Sequence, residues 1–180
     1  FRRFAPLLAQ IAPRVMATTV APPDTDGWCS LSLHAGANVD ELHRAAAHPE
    51  RLVIAEVSAH HPRTFGLGEH EHRIHVDAID VIVESEAMPY ELADEPPTAV
   101  DEAIARHVSA MVPDGATLQT GIGAVPNAVA TLLASGDGGD YGVHSEMFTN
   151  GLMRLHLAGK VTNLRKGQYD AVSIYTFAGG

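Results

Sequence analysis

The stretch ATLQTGIGAVPNAVATLLASG, residues 116–136, decides the fold. Ala116 to Thr120 reads as a strand and Gly121-Ile122-Gly123 as a tight turn. Pro126 suits the first turn of a helix, where its missing N–H costs little. That helix runs through Leu133, with Gly136 near its end. A strand, a Gly-x-Gly turn and a helix start make a usable anion or oxyanion site. Glycines let a ligand approach the backbone, and the first N–H groups of a helix are unpaired and partly positive. A plain strand-to-helix turn carries the same signature. A dinucleotide fingerprint wants Gly or Ala where Pro126 stands, and no Gly-Lys-Ser/Thr makes a P-loop.

Downstream, YGVHSE (141–146) reads as a short strand and NGLMRLHLAG (150–159) as a short helix closed by Gly159. KVTN (160–163) and AVSIYTF (171–177) look like strands. Upstream, Thr98 can cap a helix in which Val100, Ile104, Val108 and Met111 recur at helical spacing, with Ala103 on the same side. Before it, EAMPYELADEPP (86–97) is acidic, holds three prolines and reads as a linker, with a boundary near 95. Further back, RLVIAEV (51–57) and DAIDVIVES (77–85) read as buried strands, separated by a loop with Pro62, Gly66 and Gly68. Asp40 to His48 is a short helix stopped by Pro49. FRRFAPLLAQ at the start reads as a helix broken early by Pro6 and Pro13. Strands alternating with helices imply an α/β fold with a largely parallel sheet.

The chain has 180 residues, 46% hydrophobic and 19% charged, enough for one sizeable domain or two small ones. Twelve Lys+Arg against 22 Asp+Glu give a formal charge of −10, which argues against a broad nucleic-acid surface. It leaves room for an anionic small ligand at a few backbone N–H groups. No apolar run has membrane-spanning length. The single Cys29 cannot form an internal disulfide, and the cytoplasm is the expected compartment. The absent initiating Met and the terminal Gly pair fit a piece of a longer polypeptide.

Gly123 and Glu146 are 23 residues apart, with one helix and one strand start between them. In a parallel sheet that spacing brings successive strand ends to one edge, where ligands sit. Glu146 in GVHSEMFTNG (142–151) would then face the Gly loop. A carboxylate opposite an oxyanion site suits acyl chemistry, with the Glu as nucleophile or base.

The ordered segments DGATLQTGIGAVPNAV, GVHSEMFTNGL and GKVTN resemble the acetyl-CoA hydrolase/transferase family, which includes 4-hydroxybutyrate and succinyl-CoA:acetate CoA-transferases. APPDTDGWCSL, VIAEV, HPRTFG and IHVDAIDVIVES are similar to the same family's pattern. The resemblance covers nearly the whole chain. It implies a CoA-transferase-like α/β fold of mostly parallel sheets flanked by helices, in parts of two related domains. Residues 1–95 would be the C-terminal part of the first, and 96–180 the N-terminal part of the second. It implies that Glu146 forms a glutamyl-CoA thioester and that Gly121, Ile122, Gly123, Ala124 and Val125 contact CoA. The Ile122 N–H would join the oxyanion hole, and Gln119 and Asn127 would flank the substrate. The implied partners are an acyl-CoA and a small carboxylic acid, with no metal, no nucleic acid and no membrane; the full-length form would be a homo-oligomer. The family's glycine-rich stretch, which supplies further CoA contacts and a second oxyanion donor, is absent from these 180 residues. Where the family has an Asn and a Met-Pro, this chain has SAHHPRTFG, followed by LGEHEH as a small insertion.

Arg63, in HPRTFG, could pair with the incoming acid or a CoA phosphate; a structural salt bridge is the alternative. Of eleven histidines, His60, His61, His70, His72 and His75 cluster in sixteen residues. On a strand His70 and His72 would share a face, but no regular ligand spacing supports a metal, and a polar loop is favoured. His144, two residues before Glu146, could tune the carboxylate or be a packed residue at a strand end. The alternatives to a CoA-transferase are an acetyl-CoA hydrolase, which shares these motifs, and a non-catalytic acyl-CoA-binding module.

Overall fold

The computed structural model describes residues 3–33, 36, 38–68 and 70–179. Phe1 and Arg2 of the N-terminal helix reading, Glu69 of the histidine-rich insertion and Gly180 of the terminal pair lie outside the described residues. The chain divides into two compact units, 1–90 and 91–180.

In the first unit, α1 (Phe4–Ile11) is followed by β1 (Val15–Val20) and β2 (Trp28–Ser30). Pro6 does not break α1, because it sits in the first turn, where no helix hydrogen bond is lost. Then come α2 (Val39–Ala46), β3 (Leu52–Ser58), β4 (Arg73–His75), a single 3₁₀ turn (Val76–Ala78) and β5 (Val81–Ser85). β3 is central in a parallel sheet ordered β1-β3-β5, and β2 pairs antiparallel with β4. Val20, Leu31, Leu42, Val53, Ala55 and Ile74 form the core.

The 77–85 reading is corrected twice. Its first residues form the 3₁₀ turn, and Val81, Ile82 and Val83 of β5 are exposed on both faces of the strand. An apolar run reports a strand but not which layer covers it. Neither His70 nor His72 lies in a strand. His70 is in an isolated bridge with Leu67, while His72 is buried with Nε2 2.9 Å from the Ser32 carbonyl.

One buried charge organises this unit. The Glu41 carboxylate is enclosed on α2, 2.9 Å from Arg44 and 2.7 Å from Arg51, whose Nε also donates to the Pro13 carbonyl. The hydrogen bond from Arg44, with help from Arg51, holds its carboxyl below the usual glutamate range against the opposing effect of burial.

The second unit contains α3 (Ala99–Ser109), β6 (Thr117–Leu118), α4 (Ala124–Ser135), β7 (Gly142–Val143), β8 (Met147–Phe148), α5 (Asn150–Leu157) and β9 (Phe177–Ala178). β6 pairs parallel with β7, and β8 with β9. The strands are shorter than the sequence suggests. KVTN contributes one bridge residue, Val161, and AVSIYTF contributes Ile174 and Phe177. Ala130, Leu133, Tyr141, Val143, Leu152 and Leu155 form the core, and Gly151 lets α5 approach α4, since a Cβ there would lie 2.7 Å from that of Ala130.

Thr98 does cap α3, in a capping box with Asp101. The periodic stripe is not the buried face: Val100 is 67% and Met111 81% exposed, and the fully buried helix residue is Ala105. α3 packs on α4.

The Glu41 pair generates a pH prediction. A depressed folded pKa gives stability that is present above the unfolded pKa and lost as pH falls through the folded one. Glu41→Gln should lower the thermal midpoint of the first unit near neutral pH. The difference from wild type should shrink below the ordinary glutamate range. Fluorescence of Trp28, the only tryptophan in the sequence, reads this unit selectively.

Candidate active site

The site is built on the parallel pairing of β6 and β7. Thr117 is in register with Gly142 and Leu118 with Val143, and the His144 N–H donates to the Leu118 carbonyl at 3.1 Å. Two chain segments therefore leave the same carboxyl edge, Gly121–Gly123 from one strand and Glu146 from the other. The short apolar strands specify the pairing, and the intervening α4 makes the crossover that parallel strands require.

The Gly loop enters α4 directly. Gly123 is the N-cap residue, with φ +121° and ψ 171°, a conformation that side chains strongly disfavour. Among the described residues, the N–H groups of Gly121, Ile122 and Gly123 have no hydrogen-bond acceptor. Ile122 is 56% exposed, so its side chain turns outward and leaves its backbone to define the loop. Ala124, Val125 and Asn127 lie in the first turn of α4.

Glu146 is exposed at a bend after β7. Its backbone is anchored: its carbonyl accepts from the Thr176 N–H, the Thr176 hydroxyl and the Phe177 N–H. No side-chain partner holds its carboxylate among the described residues. A fixed backbone with a free carboxylate suits a group that must bond to something else. His144 is also exposed, with its ring edge-on to Tyr169, centroids 6.5 Å apart.

Beside the loop is a small cleft lined by Gly121, Ile122, Gly123, Asn127, Leu92 and Asp94, among others. Glu146 is not part of its lining. Arg154 organises one wall, donating to Asn127 Oδ1 and to Asp94 Oδ2, both at 2.6 Å. The Arg154 hydrogen bond holds the Asp94 carboxyl below the usual carboxylate range, with Asn127 and Asn150 adding to it. Asn127 thus has its carbonyl oxygen occupied by Arg154. Gln119 is exposed just before the loop. Arg63, in the first unit, donates to Asp24 at 3.2 Å and to the carbonyls of Pro22 and Trp28 at 2.7 and 3.1 Å. Its guanidinium fastens the 22–28 turn.

Sequence reading missed Arg154 and Asp94, which are far apart in the chain and carry no local pattern. It also missed the hydroxyls of Thr120, Ser145 and Thr149, although each lies within or next to a quoted motif. Among the described residues no group of three or more His, Cys, Asp or Glu is arranged to hold a metal ion, and no helix is long and apolar enough to cross a membrane.

The Gly123 geometry separates two effects of a methyl group. A Cβ at Gly123 would meet nothing closer than 4.0 Å, so its cost is conformational, about 1–3 kcal/mol. Gly121 has open space around a Cβ and no such φ. Chemical denaturation should therefore show Gly123→Ala destabilised by that amount and Gly121→Ala nearly unchanged.

No family profile matches the chain. It is 37% identical over 161 residues to 4-hydroxybutyrate coenzyme A transferase of Clostridium kluyveri, covering 89% of this chain and 35% of that protein. It is 36% identical over 163 residues to butyryl-CoA:acetate CoA-transferase of Anaerostipes caccae, covering 89% of this chain and 35% of that protein. The chain thus spans about a third of the length of these relatives. The crystal structure of RipA from Yersinia pestis matches with a TM-score of 0.89 and 34% identity, over all of this chain and 40% of that one. A 4-hydroxybutyrate CoA-transferase structure from Porphyromonas gingivalis matches with a TM-score of 0.85 and 27% identity, over all of this chain and 44% of that one. Over the third of their length that it spans, the chain belongs to the family of these CoA-transferases.

Proposed function

We propose that this chain carries the nucleophile and part of the oxyanion site of a CoA-transferase, which moves CoA between an acyl-CoA and a short-chain carboxylate. The observation that carries the reading is the shared carboxyl edge of β6 and β7. From it emerge three N–H groups with no acceptor among the described residues and, just past the neighbouring strand, a backbone-anchored glutamate whose carboxylate has no side-chain partner among those residues. The relatives' names supply the acyl-CoA and carboxylate substrates.

In the proposed reaction Glu146 attacks the thioester carbonyl of the acyl-CoA. The C–S bond breaks, giving an acyl-glutamyl anhydride and CoA thiolate. The thiolate attacks the glutamyl carbonyl of the anhydride, expels the donor acid as its carboxylate and leaves a glutamyl-CoA thioester. An acceptor carboxylate attacks that thioester, and the same two steps in reverse release the new acyl-CoA and regenerate Glu146. Each tetrahedral intermediate carries an oxyanion, and N–H donors fixed before reaction stabilise it without reorganisation. The Ile122 N–H is assigned that role. Gly121 to Val125 contact CoA, and Gln119 and Asn127 lie beside the reacting acyl group. The reading also takes residues 1–95 as the end of one CoA-transferase-like domain and 96–180 as the start of the next. It places the reaction in the cytoplasm.

Attack needs the carboxylate form of Glu146 as nucleophile. Glu146→Gln keeps the shape and removes the charge. Glu146→Asp keeps the charge but withdraws it by one methylene, about 1.5 Å, enough to lose a near-attack geometry. Both variants of the full-length protein should lose turnover severely and keep their thermal midpoints. With acyl-CoA and no acceptor, borohydride reduction should mark Glu146 in a peptide mass map. Unchanged turnover in Glu146→Gln would falsify the assignment, and thiol release independent of acceptor acid would make the enzyme a hydrolase.

A further inference from the structure

The β6–β7 ladder does not end where its backbone hydrogen bonds end. After His144 the backbone turns away: the Ser145 N–H donates to Ile174 at 2.9 Å, and the Glu146 carbonyl is taken by Thr176 and Phe177. The next rung toward β6 is made by a side chain. The Ser145 hydroxyl accepts from the Thr120 N–H at 3.4 Å and donates to the Thr120 carbonyl at 3.3 Å. One hydroxyl thus takes both backbone groups of the residue immediately before Gly121.

A second hydroxyl holds the same residue. Thr149 is the N-cap of α5, with the extended backbone a cap requires, yet it makes no capping hydrogen bond. Its Oγ1 lies instead 3.1 Å from that of Thr120. A threonine at a helix N-cap ordinarily satisfies a helix N–H, and here that bond is given up for a contact at the root of the Gly loop. Ser145 is 4% and Thr149 9% exposed, so water does not compete freely for either hydroxyl. Local rules broken in this way cluster at functional sites.

We propose that Ser145, Thr120 and Thr149 form a hydroxyl latch that sets the distance between the Gly121–Gly123 N–H donors and the Glu146 carboxylate. They are positioning residues, and the inference rests on the acyl-transfer reading above. The nucleophile and the oxyanion donors follow different strands. Relaxing the latch lets one move against the other without unfolding either, and an error of about 1 Å costs roughly 100-fold in rate.

The test uses the full-length protein with Ser145→Ala, Thr149→Val and Thr149→Ser, beside Glu146→Gln. Ser145→Ala and Thr149→Val should each lower kcat roughly 10–100-fold. The KM for acyl-CoA should stay close to wild type, and the borohydride-trapped Glu146 adduct should form more slowly by the same factor. Thr149→Ser, which keeps the hydroxyl, should restore most of the rate. A purely structural role predicts activity lost only in proportion to folded protein, and that result overturns the proposal. An inactive Glu146→Gln beside fully active Ser145→Ala and Thr149→Val removes the latch alone. Full activity in Glu146→Gln removes the reading beneath it, and the latch with it.

Discussion

The parallel pairing of β6 with β7 is the constraint on which the second unit depends. Two residues of each strand are in register, and that is enough to fix direction and edge. A parallel pair needs a crossover, and α4 with its flanking turns supplies it. The crossover begins at Gly123, in a conformation that glycine adopts without the strain a side chain would bring. It returns through the 136–140 turn, where Asp140 pairs with Arg165 at 2.6 Å. The Gly loop and Glu146 both sit where the two strands run out.

Packing around that edge is close because the residues are small. Gly151 brings α5 onto Ala130 of α4, and the fully buried residue of α3 is the small Ala105. Charge then fills what apolar atoms do not. Arg154 bridges from α5 to Asn127 on α4 and to Asp94 in the incoming segment. The Asp94–Arg154 pair is partly exposed on both sides, so it orders the cleft wall more than it stabilises the fold. The Glu41 cluster of the first unit differs. Its carboxylate is enclosed, both its partners are arginines, and removing one leaves a charge with reduced access to water.

Much of this was legible in the sequence. The alternation of strands and helices, the Gly-x-Gly entry to a proline-containing helix and the Thr98 cap follow from local rules: glycine frees φ, proline tolerates the first helical turn, and a hydroxyl satisfies an orphan N–H. The 23-residue interval from Gly123 to Glu146 also predicted a common edge, because one helix and one strand start are the shortest way back to a parallel neighbour. Tertiary structure overrode the readings that depended on layers. The α3 stripe and the β5 run are apolar and periodic but exposed in this chain, since periodicity identifies a face without naming what packs on it.

The sequence by itself determined the element types, the loop and the residue types at the edge, because these rest on interactions within a few positions of the chain. Only the tertiary structure decided which distant groups meet. Arg154 finds Asp94 across 60 residues, Arg63 is held by Asp24, Pro22 and Trp28, and the hydroxyls of Ser145 and Thr149 turn to Thr120. Hydrogen bonds of this kind depend on ångström-scale placement of side chains from separate elements. No local pattern encodes that placement before the strands have paired.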